Sequence, residues 1–277
     1  MQIDLEQMLR NVRNKRPVIH NITNYVTVND VANAELAIGA SPIMSDDINE
    51  AQDIVKICSG ININIGTLNE RTVKTMVEAG TYANKLDKAI LLDPVGMGAS
   101  KYRMDVTKHL VNHIDFDVIK GNASEIKAMM QGTMSDRGVD VGFGDAVNKD
   151  NMKQVAAEMN KLAKDRKCIV AMTGEIDLIA NGLDCFAVYN GHAEMSQITG
   201  TGCLVAGITT AFIAATPEHM FSATIAAITS MGVAGEIAYT HKQSWEGNSS
   251  YRNHIIDALY HLSASDLVEK ARIEQVI

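Results

Sequence analysis

Cysteine, proline and tryptophan are scarce in this chain, with four, four and one among 277 residues. Cys58, Cys168, Cys185 and Cys203 stand far apart with no C-x-x-C pair, which excludes a zinc-finger spacing and a disulfide framework and predicts a reducing compartment. With so few prolines and no Gly/Ser-rich run, nothing marks a linker, and a single domain over residues 1–277 is predicted. Basic residues are outnumbered, giving a formal net charge of −8. Nucleic-acid surfaces need clustered Lys and Arg, and the one basic stretch, residues 10–16, is short and interrupted, so no nucleic-acid partner is expected. The start Met1-Gln2-Ile3-Asp4-Leu5-Glu6 carries acids early and predicts no secretory leader. The most apolar stretches, 203–216 and 223–234, contain threonine and glycine and are shorter than a membrane span. They read as buried helices of a cytoplasmic protein without a membrane partner.

What the chain does have is a rhythm. A short run rich in Ile and Val, then a small or polar residue, then an amphipathic stretch recur from residue 17 onward. Residues 17–19 lead through His20-Asn21-Ile22-Thr23-Asn24 to helix-spaced 28–40. Runs 41–43, 60–65, 89–92, 116–119 and 168–172 end at Met44, Gly66, Asp93-Pro94, Lys120-Gly121 and Thr173-Gly174. Strands alternating with helices at roughly 25-residue intervals imply βαβ crossovers and a mainly parallel sheet. Beyond Thr173 the runs 177–180, 185–189 and 193–197 are separated by Asn181-Gly182 and Asn190-Gly191, hairpin signals that predict antiparallel strands at the end of the sheet. From Gly202 the sequence reads as wholly helical, and the glycine-punctuated 131–150 as a loop with at most one short helix. In such α/β sheets ligands bind beyond the carboxyl ends of the parallel strands. Asn24, Met44, Gly66, Asp93, Lys120 and Thr173 are therefore expected on one rim.

Several junctions on that rim carry chemistry. Thr199-Gly200-Thr201-Gly202-Cys203 opens an apolar helix; its glycines let backbone N–H groups approach an anion, and the helix start adds partial positive charge. It is neither G-x-G-x-x-G nor a Walker loop, since the next glycine is Gly207 and no Gly-Lys-Ser/Thr follows. Cys203, at or near the first helical position, is either a dipole-stabilised thiolate or an inert core residue. Asn122 and Glu125 have the spacing of a capping box, which explains them without function. That bland reading leaves Lys120 unexplained, a cation at the end of an apolar strand suited to a phosphate, with Glu125 a carboxylate suited to hydrated magnesium. Asp93 is a turn former or a rim acid. Thr173 can offer a hydroxyl to a phosphate oxygen. His20 through Asn24 and Met44 suit a small organic ligand, and the histidines show no metal-binding spacing.

Seven segments in register resemble the hydroxyethylthiazole kinase family of the ribokinase-like superfamily. They are Pro17 to Asn24, Gly39 to Met44, Ile63-Asn64-Ile65-Gly66-Thr67-Leu68, Leu92 to Ala99, Ile119 to Ile126, Thr173-Gly174-Glu175 and Ile198 to Cys203. The resemblance implies a three-layer αβα sandwich with a mainly parallel central sheet and antiparallel edge strands. It further implies ATP- and Mg2+-dependent phosphorylation of the primary alcohol of hydroxyethylthiazole, a step toward thiamine phosphate. By position, Met44 and Gly200 would contact the alcohol and Asn24 would line the pocket. Lys120 and Thr173 would contact ATP phosphates, Asp93 and Glu125 would hold magnesium mostly through water, and Gly200, Gly202 and Cys203 would form the catalytic turn. The resemblance implies a homotrimer with active sites between subunits. Two departures are visible. Lys120 stands where the family usually has Arg, which loses a bidentate fork but keeps the charge. Cys203 stands where most ribokinase-like kinases place an Asp that takes the hydroxyl proton. Two competing readings are a hydrolase using Cys203 as nucleophile with His20 or His192, and a non-catalytic nucleotide- or metabolite-binding protein.

Overall fold

Every apolar run up to residue 180 becomes a strand, and the amphipathic run behind it a helix. The computed structural model describes residues 3–131 and 146–277. Most of the predicted loop 131–150 lies outside the described residues. In chain order the elements are α1 (Leu5–Lys15), β1 (Val18–Ile22), α2 (Val28–Ile38), β2 (Ser41–Met44), α3 (Ala51–Ile57), β3 (Gly60–Asn64), α4 (Glu70–Lys85), β4 (Ala89–Asp93), α5 (Lys101–His113), β5 (Val118–Asn122) and α6 (Ala123–Gln131). They continue with α7 (Met152–Arg166), β6 (Ile169–Thr173), β7 (Asp177–Ala180), β8 (Cys185–Val188), α8 (Thr201–Ala215), α9 (Met220–His241), α10 (Asn248–His261), α11 (Ala264–Lys270) and β9 (Ile273–Gln275).

The strands form one sheet in the order β2-β1-β3-β4-β5-β6-β7-β8-β9. The first six are parallel, as helical crossovers require. Only 174–176 separate β6 from β7, too short a link for a crossover, so β7 turns back antiparallel and β8 and β9 follow suit. Asn181-Gly182 makes the expected hairpin, with Gly182 at φ +95° and Asn181 Oδ1 accepting from Asp184 N at 2.8 Å.

Three sequence expectations fail at this edge. Ala193–Gln197 is a 3-10 turn and not a strand; it has no β-branched residue, and the His192 ring nitrogen accepts from Glu194 N at 3.2 Å to start it. The sheet position beside β8 goes instead to β9, so the segment after Gly202 is not wholly helical. Asn190 is no hairpin residue. Its side chain donates to Lys270 O at 2.8 Å and accepts from Arg272 N at 2.7 Å, which fastens the final strand.

Period-two alternation sends successive strand residues to opposite faces. On one face α1, α2 and α8 to α11 pack over Ile19, Leu91, Val118 and Ala171. On the other α3 to α7 pack over Ile61, Ile63, Ile90, Leu92, Ile119 and Val170. Helix α8 lies directly on β3 and β4 with α1, α2 and α9 around it, which is why it is apolar on every side. The stretch Pro217–His241, containing α9, is long and apolar enough to cross a membrane by length and composition, which corrects the shorter span read from the sequence. Its apolar window is 72 % buried within the fold, where it serves as a core helix.

Candidate active site

The carboxyl ends of β1, β3, β4 and β5 open toward the N-terminus of α8, and the residues there are polar yet buried. Asn64 and Asp93 are register partners at the ends of β3 and β4. Lys120 shares their face of the sheet by alternation with Val118. Its Nζ lies 3.4 Å from Asp93 Oδ2 and donates to Gly202 O at 3.0 Å, with both charged side chains almost fully buried. Burial alone would discharge Lys120, but Asp93, Glu125 and Cys203 outweigh it and its pKa ends above the usual value. Burial likewise pushes Asp93 upward, against the pull of Lys120. The ammonium is the better supported charge of the two, because two carboxylates and a carbonyl face it. Asp93 Oδ1 is buried and has no hydrogen-bond partner.

At the start of α8, Gly200 is the N-cap with φ +86°. A side chain there would be strained by that dihedral and its Cβ would overlap Thr27 Cγ2. Thr201, Gly202 and Cys203 follow as the first three helical residues, whose N–H groups have no partner within the helix. Cys203 is therefore third in the helix, not first. Its Sγ accepts from Asn24 Nδ2 and from Asn64 Nδ2, each at 3.3 Å. Burial and the Asp93 charge push the thiol up, outweighing Lys120 and the amide donors. Of the two readings left open for Cys203, the dipole-stabilised thiolate is the one this disfavours: the helix start does not offset so complete a loss of water.

Glu125 obeys its bland reading. Its Oε2 accepts from Asn122 N at 2.7 Å while Asn122 Oδ1 accepts from Glu125 N at 2.9 Å, a reciprocal capping box. The other oxygen, Oε1, accepts from Gly96 N at 2.8 Å and ties the turn after β4 to the start of α6. Among the described residues no three His, Cys, Asp or Glu side chains converge as a metal cage.

The fold thus gathers Asn24, Asp93, Lys120, Gly200, Gly202 and Cys203. Met44 and Thr173 flank them from β2 and β6. Thr173 is beside Asn122 in register, its hydroxyl 3.4 Å from Gly121 O. Four contributors went unassigned in the sequence: Asn64, described above, and three more. Thr27 packs against Gly200 and donates to Asn24 Oδ1 through both N (3.1 Å) and Oγ1 (3.0 Å). Arg103 clamps the loops after β3 and β4 through Ile65 O, Val95 O and Gly66 O at 2.6–2.9 Å. Asp177, which burial lifts to about 7, accepts from Gly174 N at 2.9 Å and shapes the turn after Thr173. Asn64 at least lay inside a quoted motif; the other three carried no sequence signal beyond their nearness to one.

Residues 9–265 match the model of the hydroxyethylthiazole kinase family. The chain belongs to that family. It is 48 % identical to a hydroxyethylthiazole kinase of Clostridium acetobutylicum, over 98 % of this chain and 99 % of that one. The solved hydroxyethylthiazole kinase protein of Pyrococcus horikoshii OT3 superposes with a TM-score of 0.88 at 35 % identity, covering 99 % of both chains. A ribokinase-like superfamily protein of Enterococcus faecalis V583 shares the fold at a TM-score of 0.60 and 11 % identity, covering 91 % of this chain and 88 % of that one. The three-layer, ribokinase-like expectation is borne out, and the chain is a kinase enzyme using a small-molecule substrate and ATP.

Membership in the hydroxyethylthiazole kinase family also disposes of the hydrolase reading, for which the geometry gives no support. His20 alternates with Ile19 and Asn21 to the opposite face of the sheet and bonds Ser45 O at 3.0 Å. His192 stacks on Tyr239, with ring centroids 3.5 Å apart. Cys203 is hydrogen-bonded by amides and has neither imidazole as its base.

Proposed function

We propose that this kinase transfers the γ-phosphoryl group of ATP to the primary alcohol of 4-methyl-5-(2-hydroxyethyl)thiazole, giving the phosphate used to make thiamine phosphate. One observation carries the reading. Lys120 Nζ donates to the carbonyl of Gly202 at 3.0 Å, which sets a side-chain cation beside the first turn of α8, whose N–H groups have no partner within the helix. That is the arrangement a transferring phosphoryl group needs, because its transition state spreads charge over equatorial oxygens and asks the protein mainly for position and compensating charge.

In this reading Lys120 and Thr173 hold the phosphates of ATP. Gly200 and Met44 seat the alcohol, Asn24 lines its pocket, and the Gly202–Cys203 amides face the phosphoryl oxygens. Cys203 takes the place of the usual carboxylate base. Its raised pKa keeps the thiol protonated, so Cys203 does not take the hydroxyl proton at the start of transfer, and the proton leaves late, to a phosphate oxygen. The site fits a hydrated Mg2+ ion: Asp93 Oδ1 is a buried oxygen in need of a partner, whereas both Glu125 oxygens already accept backbone N–H groups, so Asp93 is the main contact and Glu125 acts through water. When bound, the ion supplies positive charge to the phosphate oxygens.

Tyr25 and Val26, directly after Asn24, are 78 % and 57 % exposed. Large apolar side chains at the lip of a site suit cover by a neighbouring subunit, which supports a homotrimer with interfacial active sites. The sheet, running from β2 to β9, supports one domain over 1–277, and the buried, unpaired cysteines suit a cytoplasmic enzyme. The test is ADP release with hydroxyethylthiazole, against hydroxymethylpyrimidine as control, with and without Mg2+. Release with the thiazole alone, and only with Mg2+, is expected. No release, or equal release with the pyrimidine, overturns the assignment.

A further inference from the structure

Asn64 is 1 % exposed and every hydrogen-bonding position of its amide is used. Oδ1 accepts from Asn24 Nδ2 at 3.0 Å and from Gly66 N at 2.9 Å. Nδ2 donates to Asp93 Oδ2 at 2.9 Å and to Cys203 Sγ at 3.3 Å. The four partners come from the loop after β1, the turn after β3, the end of β4 and the start of α8. A flipped amide would set an N–H group against the Gly66 N–H and an oxygen against the Asp93 carboxylate, so only one orientation is available. Asn24 is oriented in the same way, since its Oδ1 is claimed by Thr27 N and Oγ1. Space is committed as well: a Cβ on Gly66 would lie 2.8 Å from Asn24 Cβ.

A strand-end amide needed only for packing can be satisfied by backbone groups. Here both donors go to ionisable side chains from different elements, one at the end of β4 and one at the start of α8. We propose that Asn64 is a positioning residue for phosphoryl transfer, tying the acceptor side (Asn24 and Cys203) to the phosphate side (Asp93, and through it Lys120). This rests on the kinase reading above. Without the tie, the alcohol and the phosphoryl group are each bound but not held in line, and a misplacement of about 1 Å is enough to cost about a hundredfold in rate.

Two variants cut the tie: Asn64→Asp is isosteric and keeps the acceptor for Asn24 and Gly66 but sets a second carboxyl group against Asp93, and Asn64→Leu removes the donors to Asp93 and Cys203 without adding charge. Three measurements are made on wild type and variants: kcat and both KM values for ADP release, the rate of Cys203 alkylation by iodoacetamide followed by peptide mass spectrometry, and Tm. A fall in kcat of about a hundredfold is expected, with both KM values within about threefold. Alkylation of Cys203 should slow at least about tenfold in Asn64→Asp, because a carboxylate replaces an N–H donor at the sulfur. Equal losses in KM and kcat, or an unchanged kcat, overturn the positioning role. So does an unchanged alkylation rate in Asn64→Asp, and so does a kcat loss fully explained by a lowered Tm in both Asn64→Asp and Asn64→Leu. A wild-type enzyme that releases no ADP with the thiazole would sink the kinase reading instead, while the alkylation rate still decides whether Asn64 governs Cys203.

Discussion

The two faces of the central sheet are made by alternating residues of the same strands and are equally buried, yet they differ in kind. Toward α3 to α7, strands β3 to β5 present Ile61, Ile63, Ile90, Leu92 and Ile119. Toward α8 they present Asn62, Asn64, Asp93 and Lys120, and β1 adds Asn21. One face is held by close packing of hydrocarbon. The other packs hydrocarbon too, through Ile19, Leu91 and Val118, but runs bonds between side chains through that packing, with Asn62 donating to Asn21 at 2.9 Å and Asn21 to Glu35 at 3.1 Å. A buried polar group is costly unless paired, so a face this polar is retained for what it does and not for the stability it adds. Cohesion is thus shared by both faces, while the side chains that carry chemistry are gathered on one.

The contrast can be broken most severely at Gly200. In Gly200→Val the side chain collides with Thr27 and fills the anion position, and ADP release should fall by about three orders of magnitude or more; a loss under tenfold would remove this turn from the transfer. Lys120→Met should lower ADP release by about 10²–10³-fold and also destabilise the fold by about 3 kcal/mol in urea denaturation, since Asp93 is left buried without its cation. Adding Asp93→Leu should restore the denaturation midpoint and leave activity lost. Recovery of activity in that double variant would mean the pair is structural after all. On the other face, Ile63→Ala should cost about 2–4 kcal/mol by cavity formation, with kcat at a permissive temperature within about twofold of wild type.

The last effect concerns pH. Burial pushes the Glu35 carboxyl from 4.5 up to about 8, only partly opposed by the Asn21 amide. The unfolded chain releases this proton near its usual pKa and the folded chain keeps it, so between those values the native state binds more protons and stability falls as pH rises. Glu35→Gln should flatten the decline of Tm between pH 5 and pH 8. An unchanged slope would show that Glu35 is ionised in the fold and paired with a group other than Asn21.

The parallel strands were legible because apolar runs of fixed length alternate with amphipathic ones, and the rim residues because each ends such a run. The Asn181-Gly182 turn carried its own dihedral signature. Ile273–Gln275 did not, because a three-residue strand with two polar members has no pattern to detect and is defined only by the β8 edge it meets. Glu35 was half legible. Val31, Ala34 and Ile38 put it on the inward face of α2, but its lone amide partner is set by the fold. Cys203 was least legible of all, since the donors that surround it are 139 and 179 residues away in sequence. Its position at a helix start suggested acidity, and the depth at which α8 lies against the sheet reversed the sign.

The last strand has a consequence for how the molecule is made. β8, all buried in the finished fold, is an apolar edge until 273–275 pair with it and leave the shorter, more polar β9 as the edge, and an open apolar strand edge invites pairing with other chains. A nascent chain emerging from the ribosome N-terminus first can gather Asn64, Asp93, Lys120 and Cys203 well before that edge is closed. During that interval the site can be assembled on a sheet still able to add a foreign strand. Newly synthesised molecules, more than mature ones, are therefore the population at risk of aggregating.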